Sequence, residues 1–452
     1  MATALDSAIF GPLFTDPDVA ERLSDGAFVR ALIEVEAALA AAEARVGVIP
    51  QSAAAEIAKA ADEATIDPGA LAEGTARSGF PVIGLVQRLR AAVGPDAAPY
   101  VHWGATTQDI MDTACVLQLR GVVGVLEKRL SELVEELAGL ARRHRETVMA
   151  GRTHGQQALP VTLGLKAAAW LAPLVRHGER LREMAPRLLV LQFGGAAGTL
   201  AALGGKGLAV AEVLARELGL AEAAMPWHAQ RDGFAEFAGW LSLLTGSLGK
   251  MAQDVVLLAQ TEVGELAESA DKGRGASSTM PQKSNPVASE LVLAAARANA
   301  ALLSAMHQAQ IQEHERGTHG WQVEWLVLPQ MALLTGGALR HALYLARNVR
   351  VDEARMRENI RRANDVVLAE AAVFTLSAHM PRPEAEELVR RACATAEGEN
   401  RPLIEVVEAL AERRIPGGGI DWSVLAAPES YLGSAGELVD AVLKRAGKVF
   451  PT

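Results

Sequence analysis

FAGWLSLLTGSLGKMAQDVVLL, residues 237–258, carries the pattern from which the fold is read. Phe237, Leu241, Leu244, Leu248, Met251, Val255 and Leu258 recur at steps of 4, 3, 4, 3, 4 and 3. A helix returns to the same face every three or four residues, so this is one apolar seam on one unusually long helix. A second helix is predicted from Pro286, with Pro in the first turn, Ser284 or Asn285 as cap, and Leu291, Ala295, Ala298, Leu302 and Ala305 on one face. A third starts near Pro329 and runs to about Asn348. Stretches 162–182 and 117–144 supply two more. Alanine is frequent on these faces and β-branched alternation is rare. The expectation is an all-α chain around a central long-helix bundle, packed within the chain and against other subunits.

Outward from the bundle, the pattern shortens. Residues 1–110 hold shorter helices, such as 28–46 with Phe28, Leu32, Val35 and Leu39 on one face. The bundle takes residues 111–350. Residues 351–452 are more charged and are broken by Pro381, Pro383, Pro402 and Pro416-Gly417-Gly418-Gly419, which predicts a small C-terminal helical domain. The 452 residues are 50% hydrophobic and 22% charged, enough apolar content for a large core. The net charge is −10 and no long basic run occurs, which argues against a nucleic-acid or anionic-membrane partner. An anionic substrate must then be met by a few local cations. Cys115 and Cys393 suit a reducing cytoplasm and provide no metal framework. The first fourteen residues lack the charge and apolar length of a secretory signal. The uncharged stretch 188–205 is interrupted by Gln192 and glycines, and reads as a buried helix end and turn rather than a membrane span.

Four polar blocks interrupt the helices. Gly275-Ala276-Ser277-Ser278-Thr279-Met280-Pro281-Gln282-Lys283-Ser284-Asn285-Pro286 sets two hydroxyls, a lysine and an amide in a glycine-flanked loop. Ser277 can act as a base if backbone N–H groups or a cation stabilise its alkoxide, and Lys283 and Asn285 can bind a carboxylate. Gly151-Arg152-Thr153-His154-Gly155-Gln156-Gln157-Ala158-Leu159-Pro160 places a histidine ahead of an expected proline-started helix, suited to acid–base work near neutral pH. His102-Trp103-Gly104-Ala105-Thr106-Thr107-Gln108-Asp109 holds a hydroxyl–hydroxyl–amide cluster that can bind a carboxylate and cap the next helix. In residues 312–325, Arg316 is a candidate carboxylate clamp, while His314 and His319 lack a third ligand for a metal.

These blocks resemble the signature segments of the aspartase/fumarase superfamily: SSxMPxKxNP at the loop, GxTHxQxAxP around His154, and the first block around Thr106. The resemblance covers nearly the whole chain. It implies a three-domain, all-α subunit and a homotetramer whose active sites are shared between subunits. It also implies a small-molecule carboxylate substrate, no metal and no organic cofactor. By the same resemblance Ser277, His154 and Glu290 are catalytic, Glu290 being the glutamate five residues after Asn285 that orients the histidine. Thr106, Thr107, Gln108, Thr153, Gln230, Ser278, Met280, Lys283, Asn285 and Arg316 then contact substrate.

Within the superfamily, residues 101–109, 191–200, 226–232 and 312–317 are most similar to the 3-carboxy-cis,cis-muconate cycloisomerases. That implies anti addition or elimination beside a carboxylate of a di- or tricarboxylate, closing a lactone. The chain departs from several cycloisomerases in carrying His154 where they have an aromatic residue. A lactone's carboxylate leaves without a proton, whereas an amine or hydroxyl requires an acid. The departure points to a C–N or C–O lyase as the alternative. Adenylosuccinate lyases carry a second arginine after the Arg316 segment for the nucleotide phosphate. Trp321, Gln322 and Trp325 stand there in this chain, which implies a smaller, non-nucleotide substrate.

Overall fold

The structure is a computed structural model that describes residues 3–269, 275, 279–280, 283–415 and 419–451. The chain divides into two compact units, each interleaved in sequence. Unit 1 is residues 1–130, 177–246 and 294–340; unit 2 is residues 131–176, 247–293 and 341–452.

Helix α1 (Asp25–Val46) is capped by Ser24, whose hydroxyl accepts from Ala27 N–H. Among the described residues five helices are longer: α2 (Thr107–Arg143), α3 (Leu163–Leu188), α4 (Asp232–Leu258), α5 (Val287–Ala309) and α6 (Gly320–Asn348). The chain is mainly helical, as the periodicity implies. Along α4 the seam from Phe237 to Leu258 is buried throughout, no member being more than 4% exposed. Each such side chain contributes about 1.5–3 kcal/mol by leaving water. In unit 1 a small polar set crosses the bundle, where Asn299 Nδ2 donates to Thr335 Oγ1 at 2.9 Å and to the Met331 carbonyl at 3.3 Å. In unit 2 Trp170 Nε1 donates to Asp254 Oδ2 at 2.7 Å.

Several boundaries differ from the sequence reading. Helix α2 begins at Thr107, behind the Thr106 cap expected for a helix starting near Asp109, and so extends the 117–144 stretch ten residues towards the N-terminus. Helix α6 begins at Gly320, with Pro329 inside it rather than at its start. A proline within a helix removes one N–H, a cost that burial of Met331, Ala332, Leu334 and Ala338 on the following turns offsets. The first turn of α5 is capped from a distance rather than by Ser284 or Asn285. The buried Glu268 carboxylate accepts from Ala288 N–H, Ser289 N–H and the Ser289 hydroxyl at 3.0, 2.9 and 2.7 Å.

The largest difference lies in unit 2. Residues 148–162 form an antiparallel hairpin, β1 (Val148–Thr153) with β2 (Gln156–Thr162), where the sequence suggested no strands. Pro160 sits in β2 and α3 starts after it, so the helix expected behind His154 is separated from it by a strand. A second, two-residue pairing joins β3 (Leu266–Ala267) to β4 (Arg350–Val351). The C-terminal core of unit 2 gathers Val148, Ala150, Ile360, Leu388 and Val407.

Candidate active site

The described sequence-predicted residues fall into two groups, one in each unit, and each group has its own scaffold.

In unit 1 the organising residue is Asp109, which the sequence reading passed over. It is the third residue of α2, and its carboxylate accepts from the Thr106 N–H at 3.0 Å. This is the reciprocal half of a capping box, for which Thr-x-x-Asp is the sequence signal. The same carboxylate accepts from Gly194 N–H and Gly195 N–H, both at 2.9 Å, and lies 2.7 Å from His228 Nε2. One buried acid thus ties the start of α2 to residues 194–195 and to His228. Arg316 joins them, donating from Nη2 to the carbonyls of Gly195 and Ala196 at 3.3 and 2.9 Å. Its Nε is buried without a partner among the described residues.

Thr106 and Thr107 are half-buried, and no hydrogen bond engages either hydroxyl among the described residues. They stand at the N-terminus of a 37-residue helix, where the first-turn N–H groups have no intrahelical acceptor. Aligned peptide dipoles add partial positive charge there. Two hydroxyls, with first-turn N–H groups that have no acceptor among the described residues, can cradle a carboxylate without a formal cation. Gln108 is placed differently from the expectation. It is buried, and its amide donates to Asp112 Oδ2 and to the His228 carbonyl, both at 3.1 Å. Its donors are therefore committed to the interior, because residue 108 of the helix faces the core rather than the cradle. Gln230 is exposed, with its backbone N–H turned onto the Trp227 carbonyl.

His102 leads into the same segment in a left-handed conformation, φ 63°. Its Nδ1 lies 2.7 Å from the buried Glu36 carboxylate of α1. Burial lowers the imidazolium's stability, but the Glu36 hydrogen bond and charge outweigh it and hold the pKa above the ordinary 6.5. Trp321 is not a lining residue of the cradle. It is buried, donating Nε1 to Asp112 Oδ1 at 2.9 Å and stacking on Phe80.

In unit 2 the hairpin turns at His154-Gly155, with φ of 50° and 78°. Positive φ at both central residues is the requirement of a type I′ turn; it suits Gly, and among other residues, where it is uncommon, His adopts it more readily than most. His154 and Thr153 are exposed, and His154 has no hydrogen-bond partner among the described residues. The tip is held from below. Arg152 donates to both oxygens of the fully buried Glu265, at 2.8 and 2.6 Å, and Asn359 Nδ2 donates to the same carboxylate at 2.8 Å.

Ser277 and Ser278 lie outside the described residues. The neck of their loop is described. Asn285 N–H donates to the Gly275 carbonyl at 2.9 Å, closing the loop where Gly275 has φ 71°. A Cβ at Gly275 would lie 2.4 Å from the Asn285 carbonyl oxygen, so only glycine fits. Met280 and Lys283 are exposed, Lys283 N–H turning back to the Met280 carbonyl at 3.1 Å. Glu290 is exposed in the first turn of α5. Within one chain no hydrogen bond joins it to His154 among the described residues.

Comparison with known proteins gives a consistent picture. A family model described as "Lyase" matches residues 17–299. A 3-carboxy-cis,cis-muconate cycloisomerase of Pseudomonas aeruginosa is 47% identical over 440 residues, covering 96% of this chain and 95% of its own. A nitrosuccinate lyase of Streptomyces davaonensis is 38% identical, covering 100% of this chain and 97% of its own. Among solved structures, the 3-carboxy-cis,cis-muconate lactonizing enzyme from Pseudomonas putida superposes with a TM-score of 0.91 at 42% identity, covering 98% of this chain and 100% of that one.

Proposed function

The chain belongs to the lyase family whose model it matches, and from that premise we propose that it is a 3-carboxy-cis,cis-muconate cycloisomerase-type enzyme, closing a muconate onto itself as a lactone. The carboxylate cradle at the start of α2 carries the reading. Thr106, Thr107 and the free first-turn N–H groups bind one carboxylate, with Arg316 beside them. Ser277 exchanges the proton on the carbon next to the carboxylate. Lys283 and Asn285 hold the charge that builds on its oxygens. Each proton-transfer group contributes roughly 10²–10⁴ in rate.

The enzyme works as a homotetramer in which different subunits supply the cradle, the His154 hairpin and the Ser277 loop. Helix α5 supports this, since its apolar window is only 28% buried within the chain. So do Leu243, Leu257 and Leu326, which are 55%, 47% and 67% exposed. Such surface is ordinarily covered by partners.

The test is direct. Purified protein given 3-carboxy-cis,cis-muconate consumes the diene absorbance, and Ser277→Ala abolishes this while leaving helix content and assembly unchanged. Full turnover by Ser277→Ala overturns the base assignment. A second reading, a fumarate-releasing C–N or C–O lyase, rests on His154. An exposed imidazole at the tip, with Glu290 to orient it, suits protonation of an amine or hydroxyl leaving group. No diene loss, together with fumarate release from an N-substituted aspartate, selects this reading.

A further inference from the structure

Unit 1 contains a cavity of about 340 Å³ between α1, the second and third turns of α2, and the start of α6. None of Thr106, Thr107 or Arg316 lines it. Its walls are mainly apolar, from Phe28, Met111, Trp325 and Leu328, with the edge of Trp321. Trp321 and Trp325 meet edge-on with centroids 4.7 Å apart.

Two buried carboxylates, Asp112 and Glu324, form one polar end, and Asp25 adds a third, exposed carboxylate elsewhere in the lining. Between them lies the buried Arg231, with Nη1 2.6 Å from Asp112 Oδ2 and Nε 2.9 Å from Glu324 Oε1. One guanidinium against two carboxylates leaves this end one negative charge in excess. Asp112 is saturated, since Trp321 Nε1 and Gln108 Nε2 also donate to it. Glu324, 3% exposed, accepts from Arg231 alone among the described residues and keeps lone pairs open. Burial pushes its pKa above the ordinary 4.5 in spite of Arg231, so an added donor relieves an unfavourable charge.

We infer that this cavity binds a small aromatic or arylalkyl molecule that carries an amine or hydroxyl at one end and no carboxylate. An apolar cavity of about 150 Å³ already accepts benzene, so this volume holds a ring and a short chain. Aromatic walls give the ring stacking and edge contacts. Glu324 takes the donor head, and the excess negative charge turns away the carboxylates that the α2 cradle attracts. The two places in unit 1 therefore select ligands of opposite character.

The probes are 2-phenylethylamine, benzyl alcohol and phenylacetate, titrated into the intact assembly by calorimetry with tryptophan fluorescence alongside. The amine and the alcohol should bind saturably, and phenylacetate should bind weaker than the amine by roughly tenfold or more, about 1.4 kcal/mol. Cys115→Phe fills the cavity, and Thr75→Trp obstructs its rim should the first variant not fold. Either should remove amine binding while the assembly and helix content persist. Failure of the amine to bind at millimolar concentration overturns the inference. So does phenylacetate binding as tightly as the amine, or amine binding that survives in a folded, filled variant.

Discussion

Glu43 gives the sharpest quantitative prediction. It lies on α1, fully buried, with neither carboxylate oxygen hydrogen-bonded among the described residues. Burial first, and the charge of Glu36 second, raise its pKa from 4.5 to about 9. The folded protein therefore holds this proton at neutral pH while the unfolded chain releases it. Between those two pKa values the native state binds one more proton than the unfolded state. Stability contributed by the protonated acid is complete below pH 4.5 and is lost as pH rises towards 9, by up to about 1.4 kcal/mol per pH unit. Glu43→Gln keeps the shape and removes the titration. The variant's stability relative to the parent should thus rise by as much as about 4 kcal/mol between pH 5 and pH 8. Urea unfolding of both proteins at one fixed concentration measures this, since mass action in an oligomer otherwise adds to the difference. A difference that does not change with pH would refute the argument, because it would mean that Glu43 is ionised in the fold.

Three further outcomes follow from the site. Glu265→Gln removes the charge beneath the hairpin and leaves Arg152 unpaired; because Arg152 is 22% exposed, the cost should fall near the low end of the roughly 3–5 kcal/mol for breaking a buried pair, read as a lower denaturation midpoint together with reduced turnover. Gly275→Ala places a Cβ against the Asn285 carbonyl in a left-handed conformation, about 1–2 kcal/mol of strain from the backbone alone, so turnover should fall together with a modest drop in the urea midpoint; unimpaired turnover would rule out the neck as a positioning element. His154→Phe should spare lactone chemistry and suppress release of an amine or hydroxyl, measured as two rates on one preparation.

How legible the protein is in its sequence depends on where the determining force acts. The α4 seam was readable because local periodicity and burial coincide at every position from Phe237 to Leu258. The hairpin was not. Val-Met-Ala-Gly-Arg-Thr has no alternating β-branched face, and its turn uses His-Gly where Asn-Gly is the familiar signal. Its stability comes from Glu265 and Asn359, more than a hundred residues downstream, and from the C-terminal core against Val148 and Ala150. The cap of α5 was misassigned for the same reason, since Glu268 stands twenty residues before Ala288. Thr106 and Thr107 could be picked out as a polar cluster, but only helical phase separates them from Gln108, which turns inward. Asp109 was in plain view as a capping-box acid, while its grip on Gly194, Gly195 and His228 is a tertiary fact.

The two groups of residues also differ in how freely they can change. The group proposed to bind carboxylate is fixed by Asp109, 1% exposed and engaged by four donors, so altering its geometry means disturbing the core. His154 is exposed at a turn whose anchor, Arg152 with Glu265, lies two residues back along the chain. Substitution at such a tip removes no buried contact and ordinarily costs little stability. On the proposed function, recognition of the carboxylate is tied to the fold, and handling of the leaving-group proton is not. That separation gives a physical route by which one scaffold can serve both a muconate cycloisomerase and a lyase of nitrosuccinate among its relatives. It also places the decision between the two readings at residue 154, where the chemistry can be changed and measured without unfolding the protein.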